Sequence, residues 1–158
     1  MISINNALEF DLYGDVNLTH LLGTKVMYGI GGSGDFARNA RIGIFIKKSH
    51  AKGRSISSIV PMISLVDHTE HDVDVIITEQ EVVDLRGLAP KECVPLIINN
   101  CAHPHYYKQL WAYYEATVKK TGNYHAPHLL EEAFSWHIQL AKTNTMQNFK
   151  NKEAVLNT

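Results

Sequence analysis

Four glycines in six residues, Gly29-Ile30-Gly31-Gly32-Ser33-Gly34, interrupt the chain where no regular element can run through. Glycine loses more backbone freedom on ordering than any other residue, so such a run is a poor strand or helix interior. Its use is close backbone approach to something else. Exposed amides of this kind hold a phosphate, a carbonyl oxygen or an oxyanion, and the start of a following helix adds positive field. The competing reading is a tight structural turn, and the glycines alone leave both open.

What surrounds the run is a mainly parallel α/β pattern. Ile2, Ile4, Leu8, Phe10 and Leu12 fall on even positions, as in strands, with Gly14-Asp15 as a turn before Val16. Asp35 suits the cap of a short helix through Ala40. Ile42–Ile46, Ser55–Val60 (stopped by Pro61) and Val73–Thr78 read as buried strands. After Gly87 the pattern turns helical. Pro95 suits the first turn of a helix through Cys101. Tyr107, Leu110, Trp111, Tyr114 and Val118 recur at helical spacing over 105–119, and Leu130, Ala133, Phe134, His137, Ile138 and Ala141 mark a further helical face. The expected fold is therefore α/β, a mainly parallel sheet with C-terminal helices, in one domain over 1–143, followed by a polar, frayed tail over 144–158.

Charge is sorted along the chain. Residues 37–54 carry Arg38, Arg41, Lys47, Lys48, Lys52 and Arg54 and no acid, whereas residues 62–84 carry Asp67, Glu70, Asp72, Asp74, Glu79, Glu81 and Asp84 and no Lys or Arg. The basic segment just after the glycines suits a ligand with several phosphates and a long neutral arm. Glu79 follows a buried strand at its C-terminal end, the edge of an open α/β sheet where ligands sit. Its structural alternative is a pair with Arg86.

Other motifs are weaker. Gly29-x-Gly31-x-x-Gly34 matches the dinucleotide fingerprint, but the strand after it ends in Lys47-Lys48 where a ribose-binding acid is wanted. Asp67-His68-Thr69-Glu70-His71-Asp72 offers five potential metal ligands in six residues. Histidines three apart without a remote partner are weak for zinc, so a polar turn is favoured and no metal is expected. His103-Pro104-His105 and His125-Ala126-Pro127-His128 read as helix entries. Cys93 and Cys101 form no CxxC and read as buried, inert thiols in a reducing, cytoplasmic setting. With 15 Lys plus Arg against 16 Asp plus Glu, the net charge of −1 disfavours binding nucleic acid by bulk charge. No apolar run approaches the roughly 20 residues of a membrane span, and no signal peptide is visible at the N-terminus.

In order and spacing the glycine segment with Arg38-Asn39-Ala40, Ala51-Lys52-Gly53, Ile56–Met62, Val66–Asp72, Val75–Gln80, Asp84–Leu88, Cys101–Pro104 and Pro127–His137 resembles the acetyl-CoA hydrolase/transferase family. The Asp-His-Thr-Glu-His-Asp string and the Ser-Trp-His end are similar to its succinyl-CoA:acetate and propionyl-CoA:succinate CoA-transferase subgroup. The resemblance covers Ile2 to about His137 and only the C-terminal half of the family's two α/β halves. It implies transfer of CoA from an acyl-CoA to a short carboxylate through a glutamyl-CoA thioester, with coenzyme A or acyl-CoA as substrate and no metal. It also implies that Gly31 and Gly32 face the thioester and the CoA arm. Lys52 would approach the CoA phosphates or pantetheine, and Glu79 would support chemistry in the cleft.

The nucleophilic glutamate of the family has no counterpart here. The resemblance therefore implies activity only with an N-terminal half, or, as the alternative, a non-catalytic remnant or CoA-binding and association module. Partners expected on this basis are that half or a second copy. An intact small hydrolase using Glu79 or the His68/His71 turn lacks a nucleophile. The chain departs from the family pattern at Arg41 (usually Tyr), at Lys47-Lys48-Ser49-His50 (usually smaller and more neutral) and at Glu81 (usually Gly). Glu81 beside Glu79 would be expected to raise a carboxyl pKa or repel a substrate acid.

Overall fold

A computed structural model describes residues 1–147; the last part of the expected tail, residues 148–158, lies outside the described residues. In chain order the strands begin with β1 (Ile2–Asn6), β2 (Glu9–Asp11), β3 (Val16–Asn17), β4 (His20–Leu21) and β5 (Lys25–Val26), followed by helix α1 (Ser33–Asn39). Then come β6 (Ile42–Ile46), β7 (His50–Ala51), β8 (Ile56–Ser57), β9 (Ile59–Val60), β10 (Val75–Ile77) and β11 (Val82–Asp84). Helices α2 (Pro90–Leu96), α3 (Tyr107–Thr121), α4 (Leu130–Ala133) and α5 (Ser135–Thr143) complete the chain.

The main sheet has the order β1-β6-β10-β11, parallel across the first three strands and antiparallel at β11. Asn5, Phe45, Ile76 and Val83 lie in register across it. Phe45 and Ile76 are fully buried on the face covered by the turn Ile97–Cys101. A second sheet, β3-β2-β9, contributes Phe10, Val16 and Ile59 to the same core, which Tyr106, Leu110 and Trp136 close from the helical side. Gly43 is required within β6. A Cβ there would lie 2.8 Å from the Asp72 carbonyl oxygen, where the chain crosses and Asp74 accepts from the Gly43 amide at 2.7 Å.

Local details depart from the sequence expectations for identifiable reasons. In β1 the inward residue is Ser3, and Ile2 and Ile4 are exposed, because β1 is a sheet edge whose outer face is uncovered. The expected strand 55–60 breaks at Ser58, whose amide turns to the Ser49 carbonyl and whose hydroxyl turns to the Lys48 carbonyl. Helix α1 starts at Ser33, with Gly32 rather than Asp35 at the cap position. Pro95 does not open a helix. That place is taken by Pro90 in α2; Pro95 lies inside, and the chain then widens into a π turn over Ile97–Cys101. The expected face of the last helix divides. Trp136, His137 and Leu140 are buried, whereas Leu130, Phe134 and Ile138 are exposed. At the start of the expected tail Thr145 and Met146 are buried, and the Met146 amide donates to the Ser55 carbonyl at 2.7 Å. Among the described residues no helix is long and apolar enough to cross a membrane.

Candidate active site

Parallel strands end on the same side, and here three of them end together. Asn6 and Ala7 at the end of β1, Lys47 and Lys48 after β6, and Thr78 and Glu79 after β10 line one cleft of about 830 Å³. The strand ends are tied beyond the sheet, by the Ala7 amide to the Ile46 carbonyl (3.0 Å) and the Lys47 amide to the Ile77 carbonyl (3.1 Å). Leu18, Tyr28 and Gly29 form the facing wall.

Glu79 is held at the rim by a turn that begins inside the protein. The buried Thr78 hydroxyl donates to the Cys101 carbonyl at 3.0 Å, its amide to the Glu81 carbonyl, and its oxygen accepts from the Gln80 amide. Ser49 then donates to both carboxylate oxygens, from its amide at 2.6 Å and its hydroxyl at 2.5 Å, and His50 Nδ1 lies 3.3 Å away. Partial burial pushes the Glu79 pKa up, but the Ser49 hydrogen bonds outweigh it and hold it at about 2. The rise expected from Glu81 does not occur. The Glu81 carboxylate turns to the Val82 amide at 3.1 Å. Nor does Glu79 pair with Arg86, which forks onto Asp84 at 2.6 Å instead.

The glycine segment is anchored at both ends by the string that resembled a metal site. At its entry, the amides of Met27 and Tyr28 donate to the Thr19 carbonyl. Thr19 is in turn fixed through its amide and hydroxyl to Asp67, which also accepts from Leu18. At its exit, the buried Ser33 hydroxyl meets His68 Nε2 at 3.0 Å. His68 is fully buried, packs on Phe45, and pairs through its backbone with Val16. Burial pushes its pKa below the ordinary value, so it is a neutral strut. Among the described residues no group of three His, Cys, Asp or Glu side chains is placed to hold a metal ion.

Between those anchors the loop is open. Nothing lies within 4 Å of a Cβ built on Gly29, Gly31 or Gly34, and Gly31 has φ +55°. A Cβ on Gly32 would meet only the ring of Phe36, itself exposed. Of the residues singled out from the sequence, Glu79 lines the cleft and Gly29 joins it. Gly31 and Gly32 lie just beyond on the same loop, and Lys52 sits apart, at the tip between β7 and β8 with φ +47°. The sequence reading missed Asn6 and Tyr28 as cleft residues and Ser49 as the partner of Glu79, and it read Lys47 only as part of a basic segment for phosphates. The signal for Asn6 and Lys47 was available, since each directly ends or follows a parallel strand, as Glu79 does.

Residues 1–114 match the acetyl-CoA hydrolase/transferase C-terminal domain. The chain belongs to this family. It is 58% identical over 147 residues to a succinyl-CoA:acetate CoA-transferase of Clostridium kluyveri, covering 93% of the chain and 27% of the relative. It is 49% identical over 146 residues to a propanoyl-CoA:succinate CoA transferase of Escherichia coli, covering 92% and 29%. Among solved structures, RipA from Yersinia pestis superposes with a TM-score of 0.64 at 34% identity, over 70% of this chain and 26% of that one. A 4-hydroxybutyrate CoA-transferase from Porphyromonas gingivalis superposes with 0.58 at 29% identity, over 73% and 26%. The chain thus spans under a third of the length of these relatives. The mainly parallel α/β architecture expected from the sequence is the architecture observed.

Proposed function

We propose that the chain supplies the CoA-binding side of an acyl-CoA:carboxylate CoA-transferase of the acetate/succinate class and works with an N-terminal half that provides the nucleophilic glutamate. The carrying observation is the cleft itself: an open glycine loop, pinned at both ends, faces an ionised carboxylate across the ends of three parallel strands. In this reading the amides at Gly31 and Gly32 lie toward the thioester and stabilise charge on its carbonyl oxygen. Lys52 reaches the phosphates of CoA from the β7–β8 tip. Glu79, ionised throughout the neutral range, accepts hydrogen bonds and orients its partners; it is not suited to donating a proton.

Exposed apolar side chains also favour an association face. Ile2 and Ile4 on the free edge of the main sheet, with Val26, Met27, Tyr28 and Phe36 around the glycine loop, are all exposed. These exposed apolar side chains support docking of an N-terminal half, or of a second copy where no such half is bound. The alternative of a non-catalytic CoA-binding module is favoured by one observation. Glu79 is the single carboxylate among the described residues lining the cleft, and Ser49 already holds it.

The deciding experiment is reconstitution. Acyl-CoA:carboxylate transfer is measured with the chain alone, then with a polypeptide supplying the remaining N-terminal part of a relative. Activity in the mixture alone supports the split enzyme. Activity of the isolated chain overturns it, and CoA binding without activity in either case selects the module.

A further inference from the structure

Lys47 stands just past the end of β6, on the cleft wall between Asn6 and Thr78. Its backbone is fixed by the bond to Ile77, and its side chain is half-buried, which pushes its pKa below the ordinary lysine value. Among the described residues no carboxylate lies within salt-bridge distance of it. The two acids that border the same spaces are engaged. Glu79 is held by Ser49 and His50. Glu9 lines an adjoining cavity of about 100 Å³ that Lys47 also borders, and it is satisfied by His137 at 2.9 Å, by Asn17 and by Ser64. A partly desolvated ammonium without a counter-charge is unfavourable, and the described residues offer it none.

The rest of the cleft indicates what would supply the missing charge. Ala7, Leu18, Ile46 and Ile77 give it apolar walls, and Lys48 is the one other cation that lines it among the described residues. A lysine ammonium is a point charge that pairs with carboxylate or phosphate alike, so it is the apolar lining that favours a small organic acid here. Apolar walls with the half-buried Lys47 in their lining and the exposed Lys48 beside it suit a short hydrocarbon body carrying a carboxylate at each end.

Resting on the transferase reading above, we propose that Lys47 pairs with a carboxylate of the acid substrate and, with Lys48, selects a short dicarboxylate over a monocarboxylate. Lys47 is then a specificity-determining residue that the family pattern does not supply, since this chain departs from that pattern at positions 47–50.

The test is calorimetric titration of the full chain with succinate, acetate and CoA separately. Succinate should bind at least about fivefold more tightly than acetate, and Lys47→Met should weaken succinate about tenfold while CoA affinity stays within about twofold. Lys47→Arg should keep the preference. Succinate affinity should fall as pH rises through the depressed lysine pKa, and this dependence should vanish in Lys47→Met. If Lys47→Met is not folded by circular dichroism, Lys47→Gln and Lys47→Arg carry the comparison. Unchanged succinate affinity in the neutral variant overturns the inference. Parallel loss of CoA affinity also overturns it, by placing the ammonium on a phosphate. Binding of CoA without succinate by the unaltered chain removes the inference and leaves the transferase reading standing; binding of neither ligand removes both.

Discussion

Ser49 donates to both oxygens of the Glu79 carboxylate, from its amide at 2.6 Å and from its hydroxyl at 2.5 Å. The two residues lie on different strand ends, so the pair ties the β6–β7 connection to the turn after β10 and fixes the carboxylate against the cleft. Ser49→Ala removes one of the two donors. Its expected effect is a Glu79 pKa moved up from about 2 toward 4.5, read from the side-chain carboxyl shift in an NMR titration. The stability cost is about 1 kcal/mol, small because the carboxylate is partly solvated. The sign of the pH effect follows from the depressed pKa. The contribution of Glu79 to stability is present above about pH 4.5 and is lost as pH falls toward 2. In the alanine variant that acid-side loss should shrink.

Gly31 and Gly32 are adjacent but should respond differently. At φ +55° Gly31 adopts a left-handed backbone, and Gly31→Ala should cost about 1–2 kcal/mol in urea denaturation. Gly32 has φ −92°, which any residue tolerates, and a new Cβ there displaces only the exposed Phe36 ring. Gly32→Val should therefore leave the denaturation midpoint nearly unchanged while abolishing detectable CoA binding in calorimetry. Full CoA affinity in a folded Gly32→Val protein would remove Gly32 from the cofactor cradle.

The two cysteines should be chemically silent. Burial pushes the Cys93 thiol up to about 11 and the Cys101 thiol up to about 12, and Cys101 Sγ points to the carbonyls of Ile76 and Glu81. Labelling with a thiol reagent at pH 8 should be slow in the native chain and immediate in denaturant. Rapid native labelling of either would mean that the core around the turn Ile97–Cys101 opens readily.

Asp15 should make the chain less stable at neutral pH than a neutral isostere does. Burial first, then the nearby Glu70 side chain, raises its pKa to about 6, although its carboxylate accepts from the Glu70 amide at 2.8 Å. With the folded pKa above the unfolded 3.8, the stability linked to this group is full below about pH 3.8 and is lost as pH rises through 6. Asp15→Asn keeps an acceptor for Glu70 and removes the charge. It should be more stable than the unaltered chain by on the order of 1 kcal/mol at pH 7.5, with the gain gone at pH 4. Urea titrations at the two pH values measure this.

How much of the fold the sequence revealed depended on whether the pattern was local. The parallel strands around Ile42–Ile46 and Val75–Ile77 were legible because unbroken apolar runs suit strands buried on one face and half-buried on the other. Glu79 was legible as a cleft-lining residue because its place after such a run is a topological consequence. The hairpin β4–β5 and the edge strand β11 were not: each is only two or three residues long, too short for a period-2 pattern to show, although each pairs with a near neighbour in the chain. The role of Asp67 and His68 was also hidden. Their composition suggested ligands, whereas their function is set by Thr19 and Ser33, 48 and 35 residues away. Nothing in local spacing encodes that contact.

That contact is the basis of the last prediction. His68 joins Val16 through its backbone and Ser33 through its ring, so it connects the second sheet to the exit of the glycine loop. His68→Ala leaves a cavity and an unpaired buried hydroxyl on Ser33, and should cost about 3 kcal/mol. The loop should lose order with it: hydrogen exchange of the amides from Gly31 to Ala37 should quicken more than that of the main sheet. Burial lowers the His68 pKa, with Arg38 acting the same way against opposing Asp72 and Asp67. The folded pKa therefore lies below the unfolded value of about 6.5, and the stability tied to the neutral ring is full above that pH and is lost as pH falls through the folded pKa. Acidification should thus loosen the glycine loop before it melts the sheet, and His68→Asn, which cannot be protonated, should show no such step. Equal exchange rates in loop and sheet at every pH would mean that His68 stabilises the body of the protein without positioning the loop.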